Sequence, residues 1–398
     1  MINYKEINFT LKHKNINVAD IIIKNGDITD VIKIHEPEHL PYKYVEDKSK
    51  NVSLLNNWVE HRGIPFSRED YNAIMEEFNV SSSKELTVLS YGLNLTDHYW
   101  LCEKNNDRKW EDVNFFDNKF SDRIGKILPE LAEKYENFIN PDLSSNGRLK
   151  KFWIINNGKR ELCKAGSGDL KQEPFNEFIA SQIADRLNID HVNYDIKEHN
   201  NEIFCKCGCM IDKNVEFVNA FSVYLEGEKT GDKYNDYLNA CAKMGINNAG
   251  KEVDKMIVLD YLIRNTDRHV GNFGILRNSE TLKWEKIAPV FDNGNSLWHN
   301  AQGIQFINSN SKSECRSFTG ENEKNILLIG DTSWYNKNKL NDIDKIIAGA
   351  FKHNKFIEKE RVEKIINEFH KRVNNLDIVL EREKESVNIE NRIEGRGR

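Results

Sequence analysis

The chain alternates between short apolar runs typical of strands and longer apolar runs with helical spacing. Residues 1–140 mix the two types, and the turn-rich segment Pro141–Gly147 then interrupts them. After this break, Phe152–Ile155 and Leu162–Lys164 predict the two arms of a β-hairpin, with Asn157-Gly158 as the tight turn. The change of pattern predicts a domain boundary near residue 140.

Helical patterns dominate the chain beyond the hairpin. A helix is predicted after Pro174, and Val253–Ile263 is apolar almost all round, which indicates a buried helix. Short strands are predicted at Phe273–Leu276 and at Trp284–Phe291. A last amphipathic helix carries an apolar stripe formed by Val362, Ile365, Ile366, Phe369 and Val373. The order of elements predicts an α+β protein with a β-rich part followed by a mainly helical part.

Composition narrows the class of protein. The chain has 398 residues, 39% of them hydrophobic, which is enough for more than one folded core. Its formal net charge of -6 does not favour direct binding of nucleic acid or of acidic membranes. With no apolar stretch long enough to span a bilayer and no secretory signal at the start, we expect a cytoplasmic protein.

The cysteines do not predict a metal site or a disulfide framework. Seven cysteines are spread along the chain, and three of them alternate as Cys205, Cys207 and Cys209. A zinc site usually needs a CxxC-type pair and further ligands, so alternate positions on a buried strand are the favoured interpretation. We expect reduced thiols.

Two polar motifs follow the buried helix and its neighbouring strands. Asn272 lies five positions after Asp267, the interval between the catalytic aspartate and the metal-binding asparagine of the kinase pattern HRDxxxxN. Further on, the predicted strand Trp284–Phe291 leads directly into Asp292-Asn293-Gly294. Each motif alone is compatible with an ordinary turn. Their order along the chain favours a kinase-like site.

The residue types suit phosphoryl transfer from ATP. An asparagine carbonyl and an aspartate carboxylate are suitable ligands for Mg²⁺, which assigns that role to Asn272 and Asp292. Asp267 is then the predicted catalytic base, because it is left to accept a proton from the attacking hydroxyl. His269 is predicted to support the loop, since an imidazole favours transition metals over magnesium.

The hairpin and the next helix supply the predicted nucleotide-binding residues. Lys164 on the second arm is placed to hold the phosphates, and Glu177 near the start of the following helix is its expected partner. Upstream, a turn is predicted to cradle phosphate oxygens with its backbone N–H groups. That turn consists of Ser144, Ser145, Asn146 and Gly147.

These residues resemble the HipA-like serine/threonine protein kinases over about residues 140 to 375. The resemblance implies a two-lobed protein kinase-like fold, with an N-lobe at 141–215, a C-lobe at 216–385 and an additional N-terminal α/β region at 1–140. It implies ATP and Mg²⁺ as cofactors, Asp267 as catalytic base and a protein substrate. It further implies a DNA-binding antitoxin as a possible partner. It also implies possible autophosphorylation, at Ser144 or Ser145.

Other interpretations remain open at this point. The loop also resembles that of phosphoinositide kinases, so the acceptor is a protein, a lipid or a small alcohol. A kinase-shaped module that binds nucleotide or a partner without transferring phosphate is a further alternative. The last segment, 386–398, is expected to be a disordered tail, and Ile393–Arg398 resembles a protease-cleavage remnant without a functional role.

Overall fold

The structure is a computed structural model that describes residues 6–68, 70–120, 140–144, 147–199 and 202–394. The chain forms two compact units. The first contains residues 1–165, 206–218 and 275–285, and the second contains residues 166–205, 219–274 and 286–398. The sequence suggests consecutive segments with boundaries at 140 and 215. Each unit instead combines segments from different parts of the chain, because strands that are far apart in sequence belong to the same unit.

An antiparallel sheet forms the N-terminal part of the first unit, with strand order β3-β2-β1-β4. Apolar side chains alternate along it, and Leu11 and Ile21 are fully buried on its inner side. Asn25 and Gly26 make the turn between β2 and β3 with φ of 53° and 82°. The strands are β1 Ile7–His13, β2 Ile16–Lys24, β3 Asp27–Ile34 and β4 Tyr99–Glu103.

Short helices and an aromatic cluster complete this region of the first unit. Trp100 of β4, Trp110 and Trp153 lie in one buried apolar cluster. Trp153 belongs to the hairpin, so its burial ties the hairpin to the N-terminal sheet. The helices are α1 Lys48–Glu60, α2 Tyr71–Glu77, α3 Ser83–Leu89 and α4 Trp110–Val113.

The predicted hairpin is confirmed. β5 (Lys151–Asn156) pairs with β6 (Lys159–Ala165), and Asn157 and Gly158 form the turn with φ of 49° and 78°. This geometry requires positive φ at both turn positions, which asparagine and glycine tolerate best. The register sets Lys164 opposite Lys151, and both lysines are buried.

Four further strands contain the points at which the chain passes from one unit to the other. They are β8 (Glu202–Gly208), β9 (Val215–Asn219), β10 (Gly274–Asn278) and β11 (Trp284–Ile287). Cys205 and Cys207 are buried on β8, as the alternating pattern predicts, whereas Cys209 lies just after the strand and is half-buried. The prediction for β11 is wrong in length, because this strand ends at Ile287, four residues before Phe291. Its predicted continuation contains Pro289, which cannot donate to a strand ladder.

The second unit is mainly helical, as predicted. Helix α8 is its buried centre, and the residues from Met256 to Ile263 are all buried. The last helix passes through 386–394, where the sequence predicts a disordered tail. The elements are α5 Glu173–Leu187, β7 Tyr194–His199, α6 Ala220–Glu226, α7 Lys233–Lys243, α8 Ala249–Ile263, α9 Asn322–Asn325, α10 Ile343–Phe351 and α11 Lys359–Glu394. Within the described ranges, no helix has the length and apolarity that crossing a membrane requires.

Candidate active site

Buried hydrogen bonds fix the start of the polar loop that follows α8. Helix α8 ends at Ile263, and the next residue, Arg264, adopts a left-handed conformation with φ of 54°. Asn265 then donates from Nδ2 to the buried carboxylate of Asp260 at 2.8 Å and accepts the backbone N–H of Asp267 at 3.0 Å. Asp260 and Asn265 are buried, so this pair sets the direction in which the chain leaves the helix.

Two side chains contact the carboxylate of Asp267. Asn295 donates from Nδ2 to Oδ2 at 2.9 Å, and the exposed Arg316 lies 3.2 Å from Oδ1. The loop and the Asn295 segment are also joined through backbone, since Thr266 donates its N–H and its hydroxyl to the carbonyl of Asn295. Asn295 therefore holds Asp267 in a defined orientation and leaves a carboxylate that can accept a proton.

The buried guanidinium of Arg268 connects the loop with the segment around Asp292. It donates from Nε and Nη2 to the carboxylate of Asp260, at 3.0 and 2.9 Å. It also donates to the backbone carbonyls of Asn272, at 2.8 Å, and Phe291, and to Oδ1 of Asn293 at 2.6 Å. One side chain thus links helix α8, the loop end at Asn272 and the residues on both sides of Asp292.

Helix α5 holds the same segment from the other side. Glu177 accepts the backbone N–H of Asn293 at 2.7 Å through Oε2. Asn176 donates from Nδ2 to the carbonyls of Gly294 and Ser296, at 2.8 and 2.7 Å. Both α5 side chains are buried, so the segment that carries Asp292 has a fixed position in the second unit.

Asp292 itself has an uncommon backbone conformation. Its φ is 57°, in the left-handed region that costs a non-glycine residue about 1–3 kcal/mol. Its N–H donates to the hydroxyl of Tyr194 at 3.3 Å. The surrounding bonds from Arg268 and Glu177 keep the backbone in this conformation, which indicates that the direction of the Asp292 side chain matters to the site.

His269 lies inside the loop between the predicted base and the predicted metal ligand. Its Nδ1 accepts the N–H of Gly271 at 3.0 Å, and its carbonyl accepts the N–H of Asn272 at 2.8 Å. Burial lowers the pKa of His269, while the charges of Asp267 and Asp292 act in the opposite direction. A neutral ring that accepts from the backbone is the state that these contacts favour.

The two predicted magnesium ligands, Asn272 and Asp292, belong to segments that Arg268 connects. Asn272 uses its Nδ2 to donate to the carbonyl of Asp267 at 3.0 Å, which leaves its amide oxygen as the donor for a metal ion. The carboxylate of Asp292 belongs to the segment that Arg268 ties to Asn272. A hard cation with several waters and few protein ligands fits this donor set.

The remaining predicted residues lie in the first unit or outside the described ranges. Lys164 is buried on β6. Ser144 is also buried, and its Oγ donates to the carbonyl of Leu93. Gly147 has a φ of 115°, a conformation that favours glycine. The predictions for Ser145 and Asn146 lie outside the described residues.

Sequence reasoning missed the residues that position the site. The sequence analysis assigns no role to Arg268 or Asn295, although Arg268 directly follows Asp267. A signal was present for Arg268, because Asp260 is a charged residue inside the apolar run of α8 and a buried carboxylate needs a cationic partner. Asn295 carried no such signal.

The fold belongs to the class of protein kinase-like folds. HipA of the Shewanella oneidensis MR-1 toxin–antitoxin system, solved with HipB and operator DNA, has a similar structure, with a TM-score of 0.50, 12% identity and coverage of 94% of this chain and 97% of that chain. The crystal structure of the Helicobacter pylori proinflammatory kinase CtkA matches 60% of this chain and 96% of its own, with a TM-score of 0.46 and 21% identity.

Sequence comparisons identify the family. The serine/threonine-protein kinase CtkA of Helicobacter pylori is 31% identical over 140 residues, which cover 33% of this chain and 42% of the relative. The chain thus spans less than half of the length of this curated relative. Residues 143–376 match the family described as HipA-like C-terminal domain, and the chain belongs to that family.

Proposed function

We propose that this HipA-like kinase transfers the γ-phosphate of ATP, with Mg²⁺, to serine or threonine of a protein. In the proposed mechanism, Asp267 accepts the proton of the attacking hydroxyl, and Asn272 and Asp292 hold magnesium. Lys164 and the turn at residues 144–147 are proposed to bind the nucleotide phosphates. The observation that carries the proposal is the buried Arg268, which ties the Asp267–Asn272 loop to the Asp292 segment.

The arrangement suits phosphoryl transfer because that reaction needs positioning and charge neutralisation more than covalent chemistry by the protein. A magnesium ion held by Asn272 and Asp292 would neutralise charge on the phosphate oxygens. The protein contributes a carboxylate held by Asn295 and two oxygen donors on segments held by Arg268 and Glu177. Such prior positioning avoids reorganisation during the reaction.

The acceptor and the partner are proposed from the relatives. The name of CtkA specifies serine/threonine protein kinase activity, and HipA was solved with HipB and DNA. We therefore propose a cytoplasmic protein kinase that acts on proteins, itself included, and pairs with an antitoxin that supplies DNA binding. The net charge of -6 supports an indirect contact with DNA. Phosphorylation of Ser144 would require its segment to open, because this serine is buried.

A labelled-phosphate assay tests the proposal. The full chain is incubated with Mg²⁺ and γ-labelled ATP, alone and with protein, lipid and small-alcohol acceptors. We expect labelled protein from the unaltered chain and about 100- to 10,000-fold less from Asp267→Asn. The matched control is Asp195→Asn, which makes the same chemical change at an exposed position on β7. ATP binding without turnover on any acceptor would favour a catalytically silent binding module, and transfer only to lipids or small alcohols would replace the protein acceptor.

A further inference from the structure

The first unit contains a buried cluster of histidines and one glutamate that has no part in the proposed kinase chemistry. His13 ends β1, His98 directly precedes β4, and Glu216 lies on β9. All three side chains are fully buried. Their ligand atoms lie within 4.8 Å of one another, and no other such group of three occurs in the part of the chain that the structure describes.

The contacts of His98 leave one ring nitrogen facing the cluster. Nε2 lies 2.9 Å from the backbone carbonyl of Asp212, and because a carbonyl only accepts, the proton belongs on Nε2. In the neutral ring, Nδ1 then carries a lone pair. This atom is buried, and none of the described residues forms a hydrogen bond with it. A fully buried polar atom without a partner calls for an explanation.

The carboxylate of Glu216 faces that nitrogen. Oε2 lies 3.6 Å from Nδ1 of His98, too far for a hydrogen bond, and 3.0 Å from Nε2 of His13. Ligand atoms about 2.0–2.2 Å from a tetrahedral zinc ion lie about 3.3–3.6 Å apart. The two separations from Glu216 lie close to that range, and the two histidine nitrogens lie within 4.8 Å of each other, so a cation can bind all three groups once the side chains adjust.

Each of the three groups also has an outer partner. Nδ1 of His13 lies 2.8 Å from Nδ1 of His39. His39 can therefore accept the proton on Nδ1 of His13 when Nε2 of His13 binds a metal. Asp212 orients His98 through its carbonyl, and Arg277 donates from Nε to Oε1 of Glu216 at 2.7 Å. Outer hydrogen bonds of this kind orient metal ligands and fix histidine tautomers.

Charge and stacking keep the groups ready to bind. Arg277 and Glu216 form a buried ion pair, with Nη2 of Arg277 2.6 Å from Oε1 of Glu216. The ring of Tyr99 stacks on His13 with centroids 4.4 Å apart. The glutamate is therefore anionic, as a metal ligand must be.

We propose that His13, His98 and Glu216 form a buried divalent-metal site, with Zn²⁺ as the ion that two imidazoles and one carboxylate favour. The fourth coordination position is left for water. Because the three ligands come from segments far apart in sequence, the ion joins β1, the start of β4 and β9 within the first unit. The site does not depend on the proposed kinase activity.

Metal analysis of the full chain tests this proposal. The protein is loaded with Zn²⁺, dialysed and measured by mass spectrometry for metal content. We expect about one zinc ion per chain, most of it lost in His98→Gln, which keeps a donor for the Asp212 carbonyl. His39→Gln changes only an outer partner and should weaken binding by about 10- to 100-fold. His191→Gln, a histidine change in the second unit, and Asp292→Asn should retain the zinc.

Spectroscopy of the unaltered protein provides a test that does not depend on the variants folding. Loaded with Co²⁺, the site should show the intense visible absorption of a four-coordinate ion, and Zn²⁺ should raise the melting temperature relative to protein treated with a chelator. Negligible zinc after loading, or a cobalt spectrum equal to that of the hydrated ion, would overturn the proposal. The cluster would then be a metal-free ionic network centred on Arg277 and Glu216.

Discussion

Replacement of Arg268 by methionine should strongly destabilise the second unit. Arg268 is fully buried and pairs with Asp260, which is 2% exposed. Although burial alone lowers the pKa of Arg268, its interactions with Asp260 raise it, so the guanidinium is charged. Methionine leaves a buried carboxylate without its cation, and breaking such a pair costs about 3–5 kcal/mol. The carbonyls of Asn272 and Phe291 also lose their donor.

Urea unfolding followed by fluorescence measures this loss. The free energy of unfolding falls by about 2–3 kcal/mol per M urea, so a loss of about 3–5 kcal/mol in that free energy lowers the urea midpoint by about 1–2.5 M. Arg186→Met is the matched control in the same unit, because its ion pair with Asp342 lies on the surface and is worth less than about 1 kcal/mol. The double variant Asp260→Asn/Arg268→Met should recover part of the loss, since no charge then remains buried. Equal midpoints for Arg268→Met and Arg186→Met would refute the reasoning.

Two further predictions concern positioning and pH. Asn295→Ala removes the hydrogen bond to Oδ2 of Asp267. It should lower kcat by about 10- to 100-fold while the KM for ATP stays unchanged. An equal rise in the KM for ATP would contradict a positioning role for Asn295. Burial alone raises the pKa of Glu368, but hydrogen bonds from Lys371, Ser309 and Lys364 bring it to about 2. Its stabilising contribution is thus complete above the unfolded pKa of about 4.3 and is lost as the pH falls through the folded pKa. Glu368→Gln should flatten the dependence of the unfolding free energy on pH in that window, and an unchanged curve would count against this assignment.

Local sequence patterns predicted the turns and helices whose conformation depends mainly on residues close in sequence. The Asn157-Gly158 turn fixed the hairpin, since both residues tolerate the positive φ that the turn needs. The apolar run of α8 predicted a buried helix because only three charged residues, Asp254, Lys255 and Asp260, interrupt it. Positions of this kind depend on neighbours a few residues away, so a single sequence is sufficient.

Long-range pairing was not predictable in the same way. β1 pairs with β4 across more than 80 residues, and no local pattern specifies that register. Arg268 binds the Asp292 segment through the backbone carbonyl of Phe291, which any residue supplies, and through Oδ1 of Asn293, so no local pattern gives a sign of the contact. The spacing of Asp267 and Asn272 predicts a chemistry for the loop, whereas the residues that hold the loop in place became visible only in the structure.

The central claim is that Asp267 acts as the catalytic base while Asn272 and Asp292 hold the metal ion. Measuring metal binding and phosphate transfer separately tests this claim most directly. Mn²⁺, which replaces Mg²⁺ and is visible by electron paramagnetic resonance, is titrated into the ATP complex of each variant, and phosphate transfer is measured on the same samples. The account predicts that Asn272→Ala and Asp292→Asn weaken Mn²⁺ binding, whereas Asp267→Asn binds Mn²⁺ and ATP like the unaltered protein and transfers almost no phosphate. Full transfer by Asp267→Asn, or unchanged Mn²⁺ binding by Asp292→Asn, would contradict it.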